Sequence, residues 1–215
     1  MDRESHVRKR PLGMSVLEAA RARIARVFDE FPRVYLSGPS GKDSSVLMHL
    51  ACVEARRRGV RLGVLYLDLE AQYAHTIAHV REMFDRYADV IDPHWIALPL
   101  NLRNAVSQAS PFWTCWDPDA REAWVRQPDP SSIVDPQRFP FYRHAMEFEE
   151  FVEDFGHWYG NGMATACLVG IRAAESLNRW RAISGNHHRF KGHKWTTWKG
   201  RGVYNCYPIY DWATA

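Results

Sequence analysis

The chain has 215 residues, of which 46% are hydrophobic and 25% are charged, and its formal net charge is +3 at pH 7. This composition predicts one soluble globular domain that is long enough to bury a substantial core. No run approaches the ~20 apolar residues of a membrane-spanning helix, and the polar, basic N-terminus lacks the apolar region of a signal peptide. We therefore expect a cytoplasmic protein without a membrane partner. So small a net charge does not by itself indicate nucleic-acid binding.

Four cysteines are spread along the chain without a C-x-x-C pair, so their spacing predicts neither a disulfide framework nor a zinc site. Cys52 and Cys167 lie in apolar runs and are expected in the core. Cys115 and Cys206 lie in segments rich in Trp and Tyr and are the candidates for exposed thiols. We expect no metal site built from protein side chains.

The chain divides into an N-terminal arm and one domain. Residues 1–13 are polar and basic and predict a flexible arm, whereas residues 14–215 predict a single domain. Between about residues 102 and 139, five prolines interrupt every regular pattern, and three tryptophans lie between them. So aromatic a segment is unlike a free linker and predicts an ordered insertion that lies over the domain.

Apolar periodicity elsewhere alternates between strands and helices. The capping-box pair Ser15 and Glu18 opens the first helix, and helical spacing covers residues 15–28, 44–58, 73–87 and 141–155. Strand-like runs cover residues 34–36, 62–67, 94–100, 165–171 and 203–209. This alternation predicts an α/β fold with a mainly parallel five-stranded sheet and right-handed crossovers.

A loop rich in glycine and serine follows the first predicted strand and precedes a helix. Its candidate phosphate ligands are Ser37, Gly38, Ser40, Gly41, Lys42, Asp43 and Ser44. Backbone N–H groups and the positive end of the helix dipole meet at such a point, and Lys42 adds a charge. The alternative is an ordinary strand-to-helix turn that is capped by Asp43 or Ser44. We favour a phosphate site because Gly, Lys, Asp and Ser in succession exceed what a cap requires.

A second group of polar residues follows the fourth predicted strand. Gly170 and Arg172 leave that strand at the same edge of the sheet as Lys42, and Asp68 ends the second strand at this edge. A helix from about Ala173 would place Glu175 and Arg179 four residues apart, where they can pair. The alternative is a local ion pair beside a solvated Arg172. Together with the loop, however, the group predicts a nucleotide site beyond the carboxyl ends of the strands.

Two motifs resemble one known family. The segment Gly41-Lys42-Asp43-Ser44 resembles the end of the S-G-G-K-D-S loop of the PP-loop ATP pyrophosphatases, although Pro39 and Ser40 stand where that loop usually has Ser and Gly. It differs from a Walker A motif, in which Ser or Thr follows the lysine. The pattern G-I-R-x-x-E-S-x-x-R over residues 170–179 resembles the second signature of the phosphoadenosine-phosphosulfate reductase-like family.

Four further segments resemble the immunoglobulin-binding-regulator A type of that family; they cover residues 67–73, 111–116, 122–126 and 207–212. The resemblance implies a Rossmann-like three-layer α/β/α fold of the adenine nucleotide alpha-hydrolase-like superfamily. It also implies that residues 14–215 form a single PP-loop nucleotide-binding domain.

The resemblance further implies roles for individual residues. Gly41, Lys42, Asp43 and Ser44 would bind phosphates, and Asp68 would lie near the ribose or a metal ion. The far wall of the nucleotide site would consist of Gly170, Arg172, Glu175 and Arg179. Lys42, Asp43 and Arg172 would carry catalysis by positioning pyrophosphate and neutralising its charge.

The implied ligand is ATP or phosphoadenosine phosphosulfate, and Mg²⁺ would accompany ATP on its β- and γ-phosphates. The activity that follows is cleavage between the α- and β-phosphates or chemistry on a sulfonucleotide, which favours an enzyme. The E-C-G-x-H segment that carries the nucleophile of the reductases is absent from the sequence. Cys206, which lies near Lys194 and Lys199 in sequence, is the one candidate thiolate.

A second function stays open at this point: a non-catalytic, nucleotide-dependent regulator or an accessory protein of DNA modification. It is motivated by the altered loop and by the basic residues around Lys191 and Lys194, which are interleaved with Trp195 and Trp198. Such a segment either binds nucleic acid by stacking and charge or closes over the phosphates of a nucleotide. A protein partner or a homodimer is equally compatible with the sequence.

Overall fold

The computed structural model describes residues 13–104, 109, 111–185 and 188–213. The arm expected over residues 1–13 thus lies outside the described residues, apart from Gly13. The helices are α1 (Val16–Glu30), α2 (Lys42–Arg58), α3 (Ala74–Arg86), α4 (Phe148–Gly160) and α5 (Leu177–Ser184). The strands are β1 (Arg33–Ser37), β2 (Leu62–Leu67), β3 (Ile91–Ile96), β4 (Leu100–Arg103), β5 (Phe112–Cys115), β6 (Thr165–Val169), β7 (Thr196–Gly200) and β8 (Val203–Cys206).

The central sheet has six strands in the order β3-β2-β1-β6-β8-β7. Every neighbouring pair is parallel except β7 and β8, which run antiparallel. The mainly parallel α/β fold expected from the alternating pattern is therefore confirmed. The sheet contains one strand more than the five that we expected, because β7 pairs with β8 at the edge of the sheet.

Helices cover both faces of the sheet and form three layers. On one face, α1, α2 and α3 bury their apolar stripes against the sheet, with Leu36 and Val64 fully buried beneath them. On the other face, α4 packs Phe151 and Phe155 against Tyr35. Burying apolar surface on both faces is what a parallel sheet requires.

Helix boundaries follow capping chemistry more closely than apolar periodicity. In α1, Ser15 Oγ accepts a hydrogen bond from the Glu18 N–H, as the capping box predicts. The expected start of α4 near residue 141 is wrong: the helix begins at Phe148, because Ala145 has a left-handed φ of 55° that interrupts the helical path. The expected start at Ala173 is also wrong, because Ser176 caps α5 by accepting from the Arg179 N–H at 3.2 Å.

The described part of the Pro- and Trp-rich segment packs on the α4 side of the sheet. Strand β5 pairs with β4 in a separate two-stranded sheet, and short 3₁₀ turns begin at Pro118 and Pro136. Trp116 and Phe139 are almost fully buried in the core beneath α4. Large aromatic side chains thus fix this segment on the domain.

The sheet order places β1 in the middle, between β2 and β6. The carboxyl ends of these three strands therefore lie side by side, and the loops that follow them meet at one edge of the sheet. Within the described residues, no helix combines the length and the apolar character that crossing a bilayer requires.

Candidate functional site

The loop after β1 makes a sharp turn into α2. Gly38 has a φ of +71°, a left-handed conformation that favours glycine, and its N–H donates to the Leu65 carbonyl at 3.0 Å. Gly41 is the N-cap of α2. Ser44 Oγ accepts from the Gly41 N–H at 3.1 Å and donates to the Gly41 carbonyl at 3.0 Å. The N–H groups in the first turn of α2 have no intrahelical acceptor and point toward the loop.

Strand β6 brings the second motif against this loop. Ser37 and Val169 are register partners at the ends of the parallel strands β1 and β6, so Gly38 and Gly170 leave the sheet next to each other. A Cβ atom on Gly170 would lie 2.6 Å from Ser44 Cα. Only a glycine therefore lets the end of β6 approach the N-terminus of α2 this closely.

A cavity of about 340 Å³ lies between the two motifs, within the usual range for small-molecule sites. It is lined by Ser37, Gly38, Gly41, Lys42, Asp43, Ser44, Val169, Gly170, Ile171, Glu175 and Arg179. The structure thus brings together nine of the twelve residues that the sequence analysis proposed for nucleotide binding. Ser40, Asp68 and Arg172 are outside the lining.

Charged side chains of alternating sign cross the cavity wall. Lys42 Nζ lies 3.1 Å from an Asp43 carboxylate oxygen, and Asp43 accepts from Arg172 Nε at 2.9 Å. Arg172 also approaches Glu175 at 3.5 Å, and Glu175 pairs with Arg179. Three cations face two carboxylates, which leaves one excess positive charge. This arrangement suits an anionic ligand.

The two outer cations differ from the central one in exposure. The side chain of Lys42 is 74% exposed and that of Arg179 is 43% exposed, whereas that of Arg172 is only 6% exposed. Lys42 and Arg179 can therefore reach a ligand in the cavity. Arg172, which lies behind the lining, joins the loop after β1 to the second motif.

Asp43 is ionised at neutral pH because of these contacts. Its partial burial alone would raise the pKa of the carboxyl group, but hydrogen bonds from Lys42 and Arg172 outweigh this effect and lower the pKa. The ion pair between Asp43 and Arg172 thus persists over the physiological range.

Asp68 lies deeper than its expected place near a ribose or metal ion. Its side chain is fully buried, and Trp95 Nε1 donates to one carboxylate oxygen at 3.0 Å. The other oxygen accepts from Arg126 and from the Glu70 N–H. Both oxygens are thus occupied by protein groups, and Asp68 fixes the Pro- and Trp-rich segment to the end of β2.

One contact behind the loop lacks a signal in the sequence. His79 Nε2, on α3, lies 2.6 Å from Ser45 Oγ, and Ser45 Oγ lies 2.8 Å from the Gly41 carbonyl oxygen. The pair supports the turn of the loop from the side of α2 that faces α3. Nothing in the spacing of the two residues indicates that α2 and α3 bring them together.

The four thiols are inaccessible, and this corrects one expectation. Cys115 and Cys206 are fully buried like Cys52 and Cys167, and none forms a disulfide. Burial raises the pKa of Cys52, Cys115 and Cys167 to about 12 and that of Cys206 well above its ordinary value. Cys206 is therefore not an activated thiolate. Among the described residues, no three His, Cys, Asp or Glu side chains cluster as a metal site.

This burial leads to a simple prediction. We expect the native protein to react negligibly with a disulfide reagent such as Ellman's reagent at about pH 8, because the reagent cannot reach the buried cysteines and their thiols are not ionised. As the control, all four cysteines of the denatured chain should react. They should release four equivalents of the coloured thiolate of the reagent, which absorbance measures directly. Rapid labelling of one native thiol, located by mass spectrometry at Cys206, would contradict the buried placement.

Comparison with known proteins gives a relative and a distant structural neighbour. No protein-family model matches the chain. It is 44% identical over 211 residues to the uncharacterized protein YbdN of Escherichia coli (strain K12), an alignment that covers 96% of this chain and 52% of that protein. The chain thus spans about half the length of this curated relative.

Among solved structures, the chain is similar to the phosphate complex of a phosphoadenylyl-sulfate (PAPS) reductase from Candida auris. The identity is 12% and the TM-score is 0.48, over 90% of this chain and 73% of that chain.

Proposed function

We propose that the chain binds an adenine nucleotide in the cavity between the loop after β1 and the segment after β6. One observation carries the proposal. Two motifs that lie about 130 residues apart in the sequence, and that each indicate part of a nucleotide site, line the same cavity. The phosphates would accept from the first-turn N–H groups of α2 and pair with Lys42 and Arg179. Asp43, which pairs with Lys42, and Arg172, which lies behind the lining, would position these groups.

The motifs of the chain support a finer assignment within this proposal. They resemble the PP-loop, phosphoadenosine-phosphosulfate reductase-like proteins of the immunoglobulin-binding-regulator A type, so we propose ATP or an adenylylated sulfate as the ligand. Mg²⁺ would enter with ATP on its phosphate oxygens. The cytoplasmic location and a protein or homodimeric partner stay predictions from the sequence.

For the reaction, we propose cleavage between the α- and β-phosphates or transfer of the nucleotidyl group, with a role in sulfur metabolism. Lys42 and Arg179 would neutralise the departing pyrophosphate. Reduction through a thiolate of this chain is not part of the proposal, because all four cysteines are buried. Release of pyrophosphate from ATP by the purified protein is the corresponding measurement.

A non-catalytic, nucleotide-dependent regulator is the second candidate. The observation that favours it is that no cysteine lines the cavity and that all four thiols are buried, which leaves the cavity as a binding site without a thiolate nucleophile. Nucleotide binding without pyrophosphate release or sulfite formation would favour this candidate over the enzyme.

Replacing Lys42 with methionine is expected to lower nucleotide affinity by about tenfold or more, because a charge-assisted bond to phosphate is worth about 1.5–3 kcal/mol. The melting temperature should stay unchanged, since this side chain is 74% exposed. Calorimetric titration with ATP, adenylylsulfate and phosphoadenosine phosphosulfate, each with and without Mg²⁺, measures the affinity.

Lys199→Met is the matched control for Lys42→Met, since Lys199 is exposed on β7 and is absent from the cavity lining. It should bind nucleotide like the unmodified chain. The proposal is refuted if none of the three nucleotides binds, or if Lys42→Met binds as tightly as Lys199→Met.

A further inference from the structure

The positive charge of the chain is concentrated near its second motif. The 35 residues from Ser176 to Tyr210 contain no Asp or Glu. They contain seven Lys and Arg residues, namely Arg179, Arg181, Arg189, Lys191, Lys194, Lys199 and Arg201. Because the whole chain has a formal charge of only +3, the other residues are negative overall. The part of the surface formed by this stretch is therefore basic.

Helix α5 belongs to this stretch and is poorly covered by the rest of the protein. Ile183 is its one buried residue. Leu177 and Trp180 follow each other at i and i+3 and are 60% and 45% exposed. Residues at this spacing lie on the same side of a helix. An exposed apolar side on so short a helix is typical of a binding surface.

The edge strand β7, against which α5 packs, presents a second exposed tryptophan. Trp198 is 50% exposed, and its ring contacts the His188 ring at a centroid distance of 6.0 Å. Lys199 and Arg201 follow it and are exposed. We call α5, β7 and the exposed residues Lys194 and Arg201 the α5–β7 surface.

Some cations of the stretch are already engaged and others are available. Lys191 approaches Glu30 at 3.5 Å, and Arg189 donates to the carbonyls of Ile183 and Gly185 at 3.0 Å. Lys194, Lys199 and Arg201, by contrast, make no ion pair within the part of the chain that the structure describes, although Lys199 lines a cavity together with Glu149 and Glu153 of α4. Without an ion-pair partner, the three cations can meet an anionic ligand.

Exposed indole rings among unpaired cations match the chemistry of a nucleic-acid strand with unpaired bases. Each base can stack on a Trp face, and each phosphodiester can meet a Lys or Arg side chain. An acidic protein surface would also satisfy the cations, but a strand with unpaired bases offers a flat ring for each indole and a phosphate for each cation along one chain. We propose that the α5–β7 surface binds single-stranded nucleic acid.

This proposal is independent of nucleotide binding in the cavity, although both use α5. Arg179 on this helix lines the cavity, whereas Leu177 and Trp180 do not. A nucleic-acid strand on the α5–β7 surface would thus lie next to the cavity without entering it.

Fluorescence anisotropy with a labelled single-stranded oligonucleotide and with its duplex tests the proposal. We expect the single strand to bind more tightly than the duplex, and its affinity to fall steeply between about 50 mM and about 200 mM salt as counterions are released. The double variant Trp180→Ala/Trp198→Ala should lose about tenfold or more in affinity, since stacking contributes about 1–3 kcal/mol per base. Its binding of ATP should be unchanged.

Two charge variants complete the experiment. Lys199→Gln/Arg201→Gln and the control Arg86→Glu each lower the net charge by two, but Arg86 lies on α3, outside the α5–β7 surface. Lys199→Gln/Arg201→Gln should bind the single-stranded oligonucleotide more weakly and with a smaller salt dependence, whereas Arg86→Glu should bind it like the unmodified chain. The proposal is overturned if no strand binds at about 50 mM salt, if both charge variants lose affinity equally, or if the duplex binds as tightly and the tryptophan variant is unaffected.

Discussion

Replacing Gly170 with alanine is expected to destabilise the protein by about 2–3 kcal/mol and to abolish tight nucleotide binding. The added Cβ would lie 2.6 Å from Ser44 Cα and 2.9 Å from Ser44 N. Both are backbone atoms in the first turn of α2, and they cannot rotate away as a side chain would. Either β6 or α2 must shift, and the loop after β1 shifts with α2.

Gly41→Ala is the matched control, because it adds the same methyl group to the same loop. Gly41 has an ordinary φ of −103°, and its Cβ would lie 3.6 Å from Ser44 Oγ, which is normal contact. As an N-cap, alanine is less favourable than glycine by up to about 1 kcal/mol. Urea unfolding and calorimetric titration measure the two effects. Equal stability and equal affinity of the two variants would contradict the close approach of β6 to α2.

Removal of Arg172 is expected to cost stability, whereas removal of Arg179 should cost nucleotide affinity. The Arg172 guanidinium is buried and contacts Asp43 and Glu175, which Arg172→Ala would leave without their central partner. Because the two carboxylates are about one fifth exposed, we expect a loss of about 2–3 kcal/mol, below the range for fully buried pairs. Nucleotide binding should weaken as a consequence, because Asp43 and Glu175 in the cavity lining would lose the partner that holds them in place.

Arg179→Ala should change stability by less than about 1 kcal/mol, since an exposed ion pair contributes little. Its affinity for ATP should nevertheless fall by about tenfold, because the side chain lines the cavity and would contact phosphate. Unfolding curves and titrations of both variants separate the two roles. If Arg179→Ala unfolds as easily as Arg172→Ala, or if Arg172→Ala is fully stable, the assignment of roles is wrong.

Sequence patterns predicted which residues lie together where each motif directly follows a strand. Ser37 and Val169 end adjacent parallel strands, so local signals alone place Lys42 and Gly170 at one edge of the sheet. The cap at Ser15 is equally local. Short-range steric and hydrogen-bonding requirements determine these features, so the residues next to each other in the sequence are enough to predict them.

Features that depend on distant partners escaped prediction. The carboxylate of Asp68 pairs with Arg126, from 58 residues further along the chain, and no local pattern indicates this contact. The exposure expected of Cys115 was wrong because the Trp-rich segment around it is itself part of the core. Strand β7 carries no alternating pattern and exists because it pairs with β8. In each case, tertiary contacts decided the outcome.

The central place of β1 has a consequence for how the chain acquires its structure during synthesis. One edge of β1 pairs with β2, but the other must wait for β6, which begins about 130 residues later. At ordinary translation rates this interval lasts on the order of ten seconds. Throughout it, the unpaired N–H and C=O groups at this edge of β1 are open to other chains. The emerging polypeptide is therefore most vulnerable to aggregation before β6 appears, and a chaperone bound to the ribosome would have its greatest effect in this interval.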